Sequence, residues 1–303
     1  MSIESKEVKV LSSDGVHTLC GVVYLPEGSP KGIFHLVHGM TEYIGRYTPL
    51  LNKIAEAGYV ACGFDNLGHG KTASENERGF IAKKNGYKYL VEDVIRFSDE
   101  IKKEYPDLPY YLMGHSMGSF IVRLTAEKYG DKIDKLIICG TGGPNPAAPA
   151  GIALCKLLKL FKGARGYSGF IENMAFGTYN KRFPGEGKYG WLTKDEAVKA
   201  AYAADPLCTF RFTLSALEDL VKLNALCNKP VWFKNMRKDL PVLLISGAED
   251  PVGDYGKGVT AVYNGLTDNG CNVKMKLYEN CRHEIHNDTC REESANDILE
   301  FLK

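Results

Sequence analysis

Several things are missing from this sequence, and each absence excludes something. No apolar run approaches the ~18 residues that suggest a membrane-spanning helix. The opening MSIESKEVKV has no apolar stretch of the kind a secretory signal needs. Neither sign of charge dominates: 38 Lys and Arg stand against 37 Asp and Glu, a net charge of +1. The global field that would gather nucleic acid or an acidic partner is therefore lacking. There is no Cys-x-x-Cys pair, no GxxxxGK[ST] loop, and no GxGxxG opening the first strand–helix unit, so no bound nucleotide and no cofactor is expected. The nine cysteines are odd in number and scattered, and 303 residues need no disulfide staples. The expectation is a reduced, cytoplasmic protein whose cysteines, Cys62 and Cys139 among them, fill small spaces in the core.

What is present is an alternation. VKVLSSDG and VHTLCGVVYLP flank a Ser-Asp-Gly turn and predict a hairpin. GIFHLVHG, YVACGFDN, YYLMGH, KLIICGTGG, LPVLLISGAED and NVKMKLYEN then read as near-continuous apolar runs, the pattern of strands buried on both faces of a parallel sheet. Helical patterns separate them. In KYLVEDVIRFSDEIKKEY, Leu90, Val94, Phe97 and Ile101 recur at helical spacing before Pro106. The fold class is α/β, a mostly parallel central sheet flanked by helices. The alternation fails over 144–230, where the chain turns helical after PNPAAPAG. The organisation predicted is a core over 1–143 and 231–303, with a helical cap inserted between core strands at 144–230.

The chemistry centres on Gly114-x-Ser116-x-Gly118, set where an apolar strand runs straight into a helical pattern. A serine on so tight a turn is pushed out above the sheet, and the small residues two before and two after let neighbouring chain pass. A serine hydroxyl needs a base to act as a nucleophile at neutral pH. His283 follows the last strand-like run, in YENCRHEIH, and is the candidate; His286 is the runner-up. Asp250 ends LPVLLISGAED and is held in a loop by Pro251, which makes it the carboxylate to orient the base. Glu249 and Asp254 are rivals, the first read as a surface charge and the second as a helix cap. An oxyanion needs two backbone donors: the amide of Met117, just after the serine, and that of Met40, in the His38-Gly39-Met40 loop. His38 is read as a buttress of that loop and His115 as a partner beside the serine. The spacing Cys281-x-His283-x2-His286-x3-Cys290 matches no common zinc pattern, and no metal is expected. Asp65–Gly70 reads as a turn ordering the rim of the sheet.

With those residues in place the chain resembles the α/β-hydrolase superfamily, in its monoacylglycerol lipase and lysophospholipase branch, also described as serine-aminopeptidase-like hydrolases. The carrying segments are HGMTEYIGRY (38–47), FDNLGHGKT (64–72), GHSMGS (114–119), SGAEDPVG (246–253) and CRHEIHN (281–287). The resemblance implies a Ser116–Asp250–His283 triad, structural roles for Glu42 and Arg46-Tyr47 beside the oxyanion loop, and a cap over an acyl-binding cleft. Met40 departs from it, since many relatives carry a small residue there.

The reaction expected is cleavage of a carboxylic ester of a lipid-like substrate, monoacylglycerol or lysophospholipid in type or a shorter acyl ester, through an acyl-enzyme. A peptidase or amidase on the same triad and a non-catalytic binder on the same fold are the alternatives. In GIALCKLLKLFKG, Lys156, Lys159 and Lys162 share a limited helical face beside a broad apolar one. Such a helix packs as a lid on its own domain, or makes transient contact with an anionic membrane surface.

Overall fold

The computed structural model describes residues 3–303. Eight strands form one sheet: β1 (Glu4–Leu11), β2 (Thr18–Leu25), β3 (Ile33–Val37), β4 (Val60–Phe64), β5 (Tyr110–His115), β6 (Lys135–Cys139), β7 (Val242–Gly247) and β8 (Val273–Tyr278). Their order is β1-β2-β4-β3-β5-β6-β7-β8. The β1–β2 hairpin is antiparallel and joins β4 antiparallel; every other pairing is parallel.

The apolar runs form inner strands because both faces of the sheet are covered. Along β6 and β7, Leu136, Ile138, Val242 and Leu244 enter one core cluster, while Ile137, Cys139, Leu243 and Ile245 enter the other. Successive side chains of a strand point to opposite faces, so continuous hydrophobicity is what a doubly covered strand requires. Helices α1 (Thr48–Glu56) and, at the chain's end, α10 (Arg291–Leu302) cover one face. Helices α2 (Gly86–Lys102), α3 (Met117–Tyr129) and α9 (Lys257–Asp268) cover the other. In α2 the predicted stripe of Leu90, Val94, Phe97 and Ile101 is buried.

Between β6 and β7 the chain is helical: α4 (Ala148–Lys162), α5 (Gly169–Phe176), α6 (Glu196–Ala204), α7 (Leu214–Cys227) and the short α8 (Pro230–Asn235). Asp195 caps α6 by accepting from the amides of Ala197 and Val198. Helix α4 packs on α7, and α7 packs in turn on α2 and α3.

Two expectations about side chains are corrected. Cys281 and Cys290 are joined by a disulfide, their Cα atoms 6.5 Å apart, because the loop after β8 folds back on itself. The other seven cysteines are free, and all but Cys20 are buried. Lys159 is not a free surface lysine: it turns inward to an ion pair with the buried Glu218 of α7. No helix among the described residues is long and apolar enough to cross a membrane.

Candidate active site

In the strand order the chain leaves β3 for β4 on one side, then returns to place β5 on the other. A crevice opens beyond the carboxyl ends of strands that part in this way. The His38-Gly39-Met40 loop follows β3 and Ser116 follows β5, so both sit at that crevice.

Ser116 has φ 54° and ψ −122°, a strained conformation for a residue with a side chain. The surroundings enforce it. A Cβ on Gly114 would strike the Gly118 carbonyl, and one on Gly118 would strike the Val37 carbonyl. Glycine at both positions therefore lets β5, α3 and the end of β3 approach each other. The Ser116 amide donates to the Cys139 carbonyl at 3.0 Å, tying the turn to β6.

His283 Nδ1 donates to Asp250 Oδ2 at 2.9 Å, and both residues are buried. Asp250 also accepts from the Ser246 hydroxyl at 3.2 Å and the Val252 amide at 2.8 Å. With Nδ1–H committed to the carboxylate, Nε2 of His283 is left as an acceptor. Neither rival of Asp250 bonds His283, although Asp254 lines the same cavity as Ser116. Glu249 pairs with Lys194. Asp254 caps nothing: it has φ 48°, and α9 begins after Gly256. His286 stacks on Tyr47 with ring centroids 4.4 Å apart, and neither of its ring nitrogens has a partner.

The loop after β3 is gripped from several sides. His38 Nδ1 donates to the Gly39 carbonyl at 2.8 Å, and His38 Nε2 accepts from the Asn66 amide at 2.9 Å. In a planar trans peptide the carbonyl and the N–H point in opposite directions. Holding the Gly39 carbonyl therefore sets the direction of the Met40 N–H. A Cβ on Gly39 would lie 2.9 Å from the Ser116 Cβ, which shows how closely this loop passes the serine. Met117 opens α3, so its amide has no partner within the helix.

Glu42, Arg46 and Tyr47, given structural roles by the resemblance, do hold this loop, through a network whose other partners are not legible in the sequence. Arg46 makes a bidentate pair with Glu284, at 2.5 and 2.7 Å, and reaches Glu42 at 2.9 Å. Glu42 accepts from the Gly39 amide at 2.5 Å and from the Tyr47 hydroxyl at 2.7 Å. One arginine thus joins the loop after β3 to Glu284, the residue following His283. Tyr47 spends its only proton on Glu42, so His115 Nδ1, 2.8 Å away, donates to the Tyr47 oxygen. His115 Nε2 donates to the His283 carbonyl at 3.1 Å. With both ring nitrogens facing acceptors, the charged form of His115 is favoured. Burial alone would push its pKa down, but the neighbouring Glu42 carboxylate outweighs burial and the net direction is up. From the helical segment, Tyr202 of α6 donates to the Thr41 carbonyl at 2.8 Å.

Ser116, His283, Met40 and Met117 line one cavity of about 670 Å³. Its walls toward α4, α5 and α7 are apolar, with Cys155, Ile171, Phe176 and Val221. The Cys281/His283/His286/Cys290 spacing gathers no metal ligands, since the cysteines bind each other and His283 binds Asp250. His115, Cys139 and His286 bring donor atoms within 4.8 Å of one another, but both nitrogens of His115 are already engaged.

Comparison with known proteins agrees with this architecture. Residues 28–290 match the family model described as serine aminopeptidase, S33. The monoglyceride lipase of Mus musculus is 27% identical over 293 residues, covering 96% of this chain and 86% of that protein. A phospholipase of Bacillus subtilis is 24% identical, covering 87% and 92%. A thermostable carboxyl esterase from Bacillus coagulans, solved with glycerol, superposes with a TM-score of 0.93 at 32% identity, covering 99% of this chain and 98% of that one. A sheet with its serine turn after β5, matched along most of its length by that family, leads to one assignment: the chain belongs to the serine aminopeptidase S33 family of α/β-hydrolases, in the branch that includes the monoacylglycerol lipases.

Proposed function

We propose that this protein hydrolyses carboxylic esters of lipid-like substrates, monoacylglycerol or lysophospholipid in type, through an acyl-enzyme on Ser116. That it is a carboxylic ester hydrolase accords with the monoglyceride lipase and carboxyl esterase among its relatives. The observation carrying the mechanism is that a strained, partly exposed Ser116 shares an apolar cavity with His283, whose imidazole is fixed by the buried Asp250. Ser116 Oγ attacks the ester carbonyl as His283 Nε2 takes its proton, and Asp250 stabilises the imidazolium. The amides of Met40 and Met117 hold the oxyanion. Collapse expels the alcohol, which receives the proton from His283. Water, activated by the same imidazole, then releases the acid.

The apolar walls toward α4, α5 and α7 suit an acyl chain. The cap also supports contact with a lipid surface. Leu160 and Phe161 are 80% and 81% exposed, and Phe170 and Met174 are exposed nearby in sequence on α5. Met174 also lines the cavity, so one of these exposed apolar side chains adjoins the cleft. Amide cleavage is the second reading, favoured by the family's description as aminopeptidases.

The test is Ser116→Ala, assayed beside the parent on nitrophenyl esters of graded length, acyl-glycerols and aminoacyl amides, with fluorophosphonate labelling. The expected result is labelling of the parent alone, hydrolysis of the esters by the parent, and a loss of about 10⁴-fold or more in the folded variant. Full activity in Ser116→Ala would overturn the assignment; turnover of amides in preference to esters would transfer it to the second reading.

A further inference from the structure

Arg123, on α3, is fully buried, and none of its hydrogen-bond acceptors is a carboxylate. A charge removed from water without a counter-ion is costly, so what holds it there calls for an explanation. Its acceptors fall into two pairs. One nitrogen donates to the Thr141 hydroxyl at 3.2 Å and the Gly142 carbonyl at 3.3 Å. The other donates to the Cys227 carbonyl and to Asn228 Oδ1 at 3.0 Å. Thr141–Gly142 is where the chain leaves β6 for the cap helices, and Cys227–Asn228 is where α7 ends and the chain turns back to the core. The guanidinium thus grips both roots of the cap at once.

Its neighbours reinforce the joint. Asn228 Nδ2 donates to the Gly142 carbonyl at 3.2 Å, closing the outgoing root directly on the incoming one. Asn224 Nδ2 reaches the Gly143 carbonyl at 3.2 Å. The guanidinium lies 4.4 Å over the Trp232 ring, and Trp232 Nε1 donates back to the Arg123 carbonyl at 2.9 Å. Phe120 and Arg123 stand at i and i+3 on α3, so they share one side of the helix that begins just after Ser116. Phe120, Gly142, Gly143 and Asn224 line the cavity. The helix that carries the nucleophile at its start therefore carries the anchor of the cap about 10 Å further on.

We propose that Arg123 is a positioning residue that sets acyl-chain specificity: it fixes the α4–α7 pair over the cleft, and so fixes the far wall that a long acyl chain meets but a short one does not. The proposal rests on the ester-hydrolase reading above. The test compares Arg123→Met, which keeps length but loses charge and donors, with Asn228→Ala, which keeps the charge and removes one acceptor together with the Nδ2 bonds to the Gly142 and Asn224 carbonyls. Both are assayed on nitrophenyl butyrate and on nitrophenyl esters of long acids. The expected result is a fall of about tenfold in kcat/KM on the long esters, carried by KM, with the butyrate value within about twofold of the parent. A folded Arg123→Met with the parental ratio of long to short ester overturns the proposal, as does an equal fall on both. If Arg123→Met does not fold, Asn228→Ala decides by the same ratio. A parent indifferent to chain length would instead sink the acyl-cleft reading, an outcome seen without any variant.

Discussion

At the scale of single residues, the proposed oxyanion loop turns on His38. Its ring sits between the Asn66 amide and the Gly39 carbonyl, so it fixes a peptide plane without facing the reaction. Replacing His38 by Ala frees that plane to rotate, and the Met40 N–H with it. The expected outcome is a fall in kcat of about 10²-fold, the scale seen when one oxyanion donor is lost, with KM little changed. Steady-state kinetics on a soluble ester checks this, and an unchanged kcat in a folded variant contradicts it. Residues of this kind differ in how visible they are from sequence. The serine turn is legible because its constraint is local: glycine two before and two after relieves collisions among chain segments that any such turn brings together. Arg46 with Glu284, and Tyr202 with Thr41, are not legible, because each pairing joins segments more than 150 positions apart whose meeting depends on the whole sheet and the helices inserted after β6. The Cys281–Cys290 bond is hidden for a different reason. In a long chain with many thiols, spacing alone does not say which two a loop folds together.

At the scale of elements, α4 has two faces with different partners. Cys155 is buried and Lys159 is committed to Glu218, while Leu157, Leu160 and Phe161 face outward and Lys156 and Lys162 are exposed. The helical pattern makes an apolar face legible, but it does not say which part of that face packs inward, because the partner helix α7 begins more than fifty residues later. Changing Leu160 and Phe161 together to Glu is expected to abolish co-sedimentation with phosphatidylglycerol-containing vesicles, and Lys156→Glu with Lys162→Glu to weaken it more than binding to neutral vesicles. Undiminished binding by the Leu160/Phe161 variant would remove the patch from consideration.

At the scale of the whole molecule, the buried histidines govern the response to acid. Burial pushes His35 and His69 down to about 3, and His286 well below its ordinary value. They stay neutral in the folded protein near pH 5.5, whereas the unfolded chain takes up protons below about 6.5. The unfolded state then binds more protons, so stability falls as the pH drops through that value. His115 acts in the opposite sense. Its raised pKa contributes stability that is fully present below about 6.5 and is lost as the pH rises through the folded value. His17, raised despite partial burial by Asp14 and Glu77, does the same with solvent screening. Below about 6.5 the gain from the raised histidines is already complete while the loss from the three neutral ones continues, so Tm is expected to fall towards pH 5.5, the more gently because Asp219, lifted by burial to about 6, takes up a proton in the folded protein. His286→Leu removes one of the three without breaking a hydrogen bond, since neither ring nitrogen has a partner. Calorimetry should show a shallower slope and, at pH 5.5, a gain of about 1 kcal/mol over the parent. An unchanged slope contradicts this.

The order of strands also sets the order in which competence arises. Ser116 follows β5, in the interior of the sheet, but His283 hangs from β8, an edge strand and the last of the eight in sequence order. Closing the distance between them is a late, long-range step, slow for the same entropic reason that makes non-local topologies slow to fold. A nascent or refolding chain can therefore hold a nearly complete sheet, with its serine already turned outward, and still be inert. On the proposed mechanism reactivity is withheld until β8 docks, so the serine turn is not a hydrolytic site until its base arrives.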